Sequence, residues 1–236
     1  QIGDITEGDI NGTEIAVSEN GSIYAVSTST ATTIYEYNTS GIGSWEQKDS
    51  IASANALIDV NSAGNLLVVS NGSGVNIYAP ASGTGTNWEI QSSITSLSTA
   101  PTSISLNNDG TKLAVTTENE TQVYQNAGSG SWTTLGTAFP STKSKLIGSG
   151  DFLVIYSDNQ IGVHKYENDI WDPYEYTQVS SGNGVSFTMN DDGTKLAVGT
   201  YDEDMLTTEN ITIYNYDTNI NAWNNKLNQT IHGIGI

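Results

Sequence analysis

Cysteine is absent from this chain. Its absence removes disulfides, thiolate metal sites and cysteine nucleophiles together. Only two histidines occur, His164 and His232, and neither stands in a motif, so imidazole chemistry has few places to act. Positive charge is scarce as well: 7 basic residues face 26 acidic ones, a formal net charge of −19. A surface of that sign repels phosphates and anionic headgroups, which argues against nucleic acid and membrane partners. No apolar run approaches the roughly 20 residues of a membrane-spanning helix, and no signal peptide is recognisable. Apolar residues nowhere keep helical spacing over three turns. A chain that opens on Gln1 rather than methionine is expected to be a processed or trimmed product.

What the chain does have is repetition. Residues 102–138 predict four short strands, Ser103–Leu106, Lys112–Thr117, Thr121–Gln125 and Trp132–Thr137. The turn Asn107-Asn108-Asp109-Gly110 is a hairpin signal, because glycine supplies positive φ and Asn and Asp bond their own backbone. Aligning on that glycine finds Gly21, Gly64, Gly110, Gly150 and Gly193, at steps of 43, 46, 40 and 43 residues. A tryptophan follows each, Trp45, Trp88, Trp132, Trp171 and Trp223, after 24, 24, 22, 21 and 30 residues. Two independent markers keep one period, and four-stranded units of ~45 residues are the mark of propeller blades. The expected fold is therefore all-β: a single domain over 1–236, a five-bladed β-propeller of four-stranded antiparallel blades. The blades fall at about 12–52, 53–98, 99–140, 141–181 and 182–236, with 1–11 as a closing or exchange segment.

The second strands read IYAV, LLVV, KLAV, FLVI and KLAV. Such continuous apolar runs predict sheets covered on both faces. Four residues before each hairpin glycine stands an apolar side chain, Val17, Val60, Leu106, Leu146 or Met189, expected to fill space between blades near the axis. Residues 223–231 predict an outer strand made by the C-terminal part of the chain itself. The β-prone pieces 1–6 and 232–236 are then left to pair with each other or with a sheet edge of another subunit.

VSFTMNDDGTKLAVGTY, ITIYNYDTNINAW and TSISLNNDGTKLAVTTE share a strand, an Asp-Gly turn, a Leu-Ala-Val run, an aliphatic-Tyr strand and a tryptophan. This resembles the propeller repeats of the FG-GAP/integrin-α-like class and, more loosely, WD40-like blades. The resemblance covers nearly the whole chain. It implies an extracellular binding or surface module, with calcium in acidic loops of some members; the turns NNDG, NDDG and NSAG lack the alternating carboxylates of such a calcium loop.

Three constellations remain. The fifth unit carries an extra loop with Asp202, Glu203, Asp204 and Glu209, and the start of the chain carries Glu7 and Asp9. If the ring closes, these share a rim, and hard oxygen ligands in that number are a calcium candidate, against a plain solvated loop. Tyr166, Trp171, Tyr174 and Tyr176 are the best candidates for an exposed aromatic platform that stacks on a sugar, against the reading that each tryptophan simply packs against a neighbouring blade. At mid-strand near the axis stand the carboxylates Asp59 and Glu14, with Ser105, Lys145 and Thr188 at equivalent positions. One carboxylate facing a lysine reads as a structural ion pair. Seven Asn-x-Ser/Thr sequons, at Asn11, Asn20, Asn38, Asn71, Asn119, Asn210 and Asn228, permit glycosylation without requiring it.

The function expected from these features is non-enzymatic. It is an extracellular or surface structural or adhesion module, such as a virion or filament component. It binds a protein partner or itself through one loop face or the terminal strands. A carbohydrate-binding lectin is the alternative, and a glycoside-processing enzyme centred on Asp59 the third reading. No cofactor is expected beyond candidate calcium.

Overall fold

The computed structural model describes residues 12–40, 43–81, 87–95, 97–128, 130–178, 184–201, 210–217, 219 and 222–227, with the backbone alone at 12–13, 174–178, 184, 201, 210, 222 and 224–227. Every regular element among them is a strand. Sheet one holds β1 (Gly12–Val17), β2 (Ile23–Thr28), β3 (Thr32–Asn38) and β4 (Ser44–Ile51). Sheet two holds β5 (Ile58–Val60), β6 (Leu67–Ser70), β7 (Val75–Pro80) and β8 (Trp88–Ile94). Sheet three holds β9 (Ser103–Leu106), β10 (Lys112–Thr116), β11 (Glu120–Asn126) and β12 (Trp132–Thr134), with β13 (Phe139–Pro140) paired to β11. Sheet four holds β14 (Lys143–Ile147), β15 (Phe152–Ser157), β16 (Gln160–Glu167) and β17 (Ile170–Gln178). Sheet five holds β18 (Gly184–Met189), β19 (Lys195–Tyr201), β20 (Asn210–Asp217) and β21 (Ala222–Leu227). Each sheet is antiparallel and runs in chain order, so the last outer strand does come from the C-terminal part of the chain.

Strand alternation sends each sheet's side chains to two faces. The trailing face of one sheet packs on the leading face of the next. Ala16, Ala25 and Ile34 of sheet one meet Ile58, Val60, Leu67 and Val69 of sheet two. Val68, Val75 and Ile77 then meet Leu106, Leu113 and Val115. Ala114 and Val123 meet Leu146, Leu153 and Ile155. Val154, Ile161 and Val163 meet Phe187, Met189, Leu196 and Val198. This explains the continuous apolar second strands: Leu67, Val68 and Val69 are all buried, alternately toward the sheet before and the sheet after. Each such side chain contributes roughly 1.5–3 kcal/mol by leaving water.

Two local expectations are corrected. Val60, Leu106, Leu146 and Met189 are buried between sheets, but Val17 is 56% exposed, because no preceding sheet packs on it among the described residues. The outer strand of sheet three stops at Thr134 rather than Thr137. The chain bends at Gly136 (φ +74°), where an added Cβ would lie 2.9 Å from the Trp171 ring. Trp171 Nε1 donates to Leu135 O at 3.2 Å, and the chain then returns to pair Phe139 with Thr121.

His164 sits in β16, 3% exposed, with the Phe139 ring 4.5 Å away. Burial pushes its imidazole down to about 4. Between pH 6.5 and 4 the unfolded chain therefore takes up a proton that the folded chain refuses, so this group's contribution to stability is full above 6.5 and is lost as pH falls. Urea unfolding of the wild type is expected to lose about 3 kcal/mol relative to His164→Leu between pH 7 and pH 4. Parallel pH profiles for the two proteins would contradict this.

Candidate functional site

The position five residues before each hairpin glycine lies at the middle of an inner strand and is filled by Ala16, Asp59, Ser105, Lys145 and Thr188. Three of these reach to the following inner strand. Asp59 Oδ2 accepts from Leu106 N at 2.7 Å, while its Oδ1 accepts from Val60 N at 2.9 Å. Ser105 Oγ accepts from Leu146 N at 3.1 Å. Lys145 Nζ donates to Thr188 Oγ1 at 3.4 Å. The result is a polar ladder across β5, β9, β14 and β18. In β1 the matching rung is Ala16, and Glu14 stands two residues earlier on the same face.

These strands line an open cavity of about 300 Å³ that takes residues from all five inner strands, including Val17, Asp59, Ser105, Lys145 and Thr188. Its mouth is formed by the hairpin turns, at the position two before each glycine: Glu19, Ser62, Asn108, Gly148 and Asp191. Cross-sheet backbone bonds hold part of that rim, Ser62 N to Asn108 O at 3.0 Å and Asn108 N to Gly148 O at 2.8 Å. Glu19 and Asp191 were not among the sequence candidates, although the glycine alignment that located Asp59 also places them.

The electrostatics set Asp59 apart. Burial pushes its carboxyl up to about 6, against the two backbone donors and the Lys145 charge, which favour the ionised form. Burial also raises Glu14, with the Lys143 charge opposing it, and the Glu14 charge adds to the rise at Asp59. The expected ion pair between Asp59 and Lys145 is not formed: the ion pairs among the described residues lie elsewhere, and the ammonium turns to Thr188. Each Asp59 oxygen accepts one backbone bond and keeps a second lone pair for a further donor. A carboxylate that titrates near neutrality beside an ammonium can take a proton from water.

The other candidates fare differently. Trp171 is no open platform: it is packed against sheet three with Leu135 and Phe139. Tyr166 is half-buried, with the Trp171 ring 5.0 Å and the Lys112 ammonium 5.1 Å from its centroid. The side chains of Tyr174 and Tyr176 lie outside the described residues, as do Glu7, Asp9, Asp202, Glu203, Asp204 and Glu209. Among the sequons, Asn20, Asn71 and Asn119 are exposed, Asn38 spends its amide on Glu46 at 2.6 Å, and Asn11, Asn228 and the Asn210 side chain lie outside the described residues.

No protein-family model matches the sequence, and no curated protein matches it. Solved structures do match the fold. A provisionally named 6-phosphogluconolactonase from Bacteroides uniformis aligns with TM-score 0.66 at 10% identity, over 91% of this chain and 70% of its own. A second protein so named, from Bacteroides fragilis, gives 0.65 at 14% identity, over 91% and 69%. The periplasmic gluconolactonase of Pseudomonas aeruginosa gives 0.59 at 13% identity, over 89% and 67%. These are lactonase-named propellers rather than integrin-α-like ones. They correct the functional expectation. The all-β architecture is shared with structures named as lactonases, so the step from these repeats to a non-enzymatic adhesion, filament or virion module does not hold.

Proposed function

We propose that the five sheets are consecutive blades of a β-propeller whose axial cavity hydrolyses a small, uncharged lactone of a polyhydroxy acid. The observation that carries this reading is Asp59: a carboxyl lifted to about 6, in a cavity that every inner strand lines. The names of the fold neighbours support lactone chemistry, and the cavity's own charges select the substrate. Glu19, Asp59 and Asp191 line it against the single ammonium of Lys145. A phosphate dianion would be repelled there, so the substrate is unphosphorylated.

In this reaction Asp59 accepts a proton from water as the water oxygen bonds to the lactone carbonyl carbon. Lys145, with the Thr188 hydroxyl beside it, stabilises the charge that develops on the carbonyl oxygen. The ring C–O bond breaks, the departing oxygen takes the proton back from Asp59, and an open hydroxy acid leaves. Proton-release assays with glucono-δ-lactone and its 6-phosphate test this. The neutral lactone is expected to turn over with kcat/KM rising as pH climbs through about 6, and the phosphorylated one much more slowly. Rates equal to spontaneous hydrolysis for both would reject the proposal.

A further inference from the structure

Four interfaces join the five sheets, each a trailing face on the next leading face, and among the described residues no apolar cluster joins sheet five to sheet one. Yet sheet one carries a leading face of the same make-up as the others: Ile15, Val17, Tyr24, Val26, Tyr35 and Trp45, where sheet two has Ile58, Val60, Leu67, Val69, Tyr78 and Trp88. Ile58 and Val60 are 5% and 7% exposed; Ile15 and Val17 are 63% and 56%, so the exposure of this face lies on β1, while Tyr24 and Val26 on β2 are 5% and 6% exposed. The Tyr24 hydroxyl is buried on this face with no hydrogen-bond partner. At the other end, Ile211 on the trailing face of sheet five is 42% exposed, while Thr32, Val75, Thr121 and Ile161, its equivalents by strand register, are at 0%. The hairpin glycines agree. A Cβ at Gly64, Gly110, Gly150 or Gly193 would strike a side chain of the preceding sheet, Ile23, Leu66, Lys112 or Phe152, at 2.8, 2.9, 2.9 and 2.3 Å; at Gly21 nothing lies within 4 Å.

We infer that these two faces do not meet each other but bound a wedge that takes two further four-stranded sheets of the same repeat, carried by the same polypeptide outside residues 1–236. The lactonase-named neighbours are seven-bladed. They match this chain over 89–91% of its length and 67–70% of theirs, the proportion of five blades in seven. Sheets closing at five would turn by about 72° each, and sheets closing at seven by about 51°. A match across nine-tenths of the chain requires the gentler turn. The occupant follows from continuity with the four interfaces already formed: the two faces have the residues of a blade-to-blade contact, and Ile15, Val17 and Ile211 on them are exposed. A second copy would bring five more sheets to a gap for two.

Because the chain has no cysteine, Thr33→Cys with Ile211→Cys places a spin label on the third strand at each side of the wedge. Packed sheets lie ~10 Å apart, so two missing sheets put the labels about 30 Å apart. Dipolar spectroscopy on residues 1–236 is expected to read that distance, with light scattering giving the 25.1 kDa monomer. A distance of about 10 Å would mean closure at five and overturn the inference. A stable dimer would overturn the assigned occupant.

Discussion

Asp59→Asn is expected to lower lactone turnover by about 10²–10⁴-fold, the usual share of a general base, while the protein still folds. An amide at this site can accept from only one of Leu106 N and Val60 N, and its NH2 faces the other donor. That mismatch costs about 1–3 kcal/mol. It is offset because the amide removes a carboxylate that burial makes expensive to ionise at neutral pH. Thermal melts within a few degrees of wild type, beside a collapsed kcat/KM, would separate chemistry from stability. A variant that keeps wild-type turnover within about threefold, well short of a base's usual share, would remove Asp59 from the reaction. Burial of the carboxylate also acts oppositely to His164. Below pH 6 the folded chain takes up a proton at Asp59 more readily than the unfolded chain, so this group stabilises as pH falls through the window in which His164 destabilises.

Gly193→Ala is expected to destabilise by about 2–5 kcal/mol, the sum of a backbone cost and an overpacking cost. Gly193 has φ +71°, which costs an L-residue about 1–2 kcal/mol. Its added Cβ would also lie 2.3–2.8 Å from three atoms of the Phe152 ring, itself packed between sheets four and five. Overpacking of that kind adds about 1–3 kcal/mol. Gly21→Ala is the matched control. It has the same kind of φ, +66°, with open space around it, so only the backbone cost of about 1–2 kcal/mol remains. Urea unfolding of the pair measures the difference directly. Equal losses would mean that the glycine is needed for its dihedral alone, or that a neighbour covers Gly21 after all.

Much of the fold was legible because one period carried two markers. Gly110 and Trp132 placed β9 to β12 to within a few residues, and the same alignment placed the other four sheets. Trp171 was harder to read. An indole and several tyrosines close in sequence suggested an exposed cluster, but the other reading, packing against a neighbouring blade, holds for Trp171, which lies against Leu135 and Phe139 of the preceding sheet. The axial site was half legible. Asp59 and Lys145 stood out as the charged members of an otherwise small, neutral series. Their separation depends on Lys145 choosing the Thr188 hydroxyl, and the Asp59 shift depends on burial, neither of which spacing encodes.

Because, among the described residues, each sheet is braced only by its neighbours in the chain, the array resembles a stack with two unlike ends. Cooperative protection should decay outward from its middle. Amide hydrogens of β6, β10 and β15, each covered on both sides, should exchange last. Sheets one and five should fray first, and any sequence drift that weakens Ile23 or Phe152 would be felt one repeat downstream, at the glycine it touches.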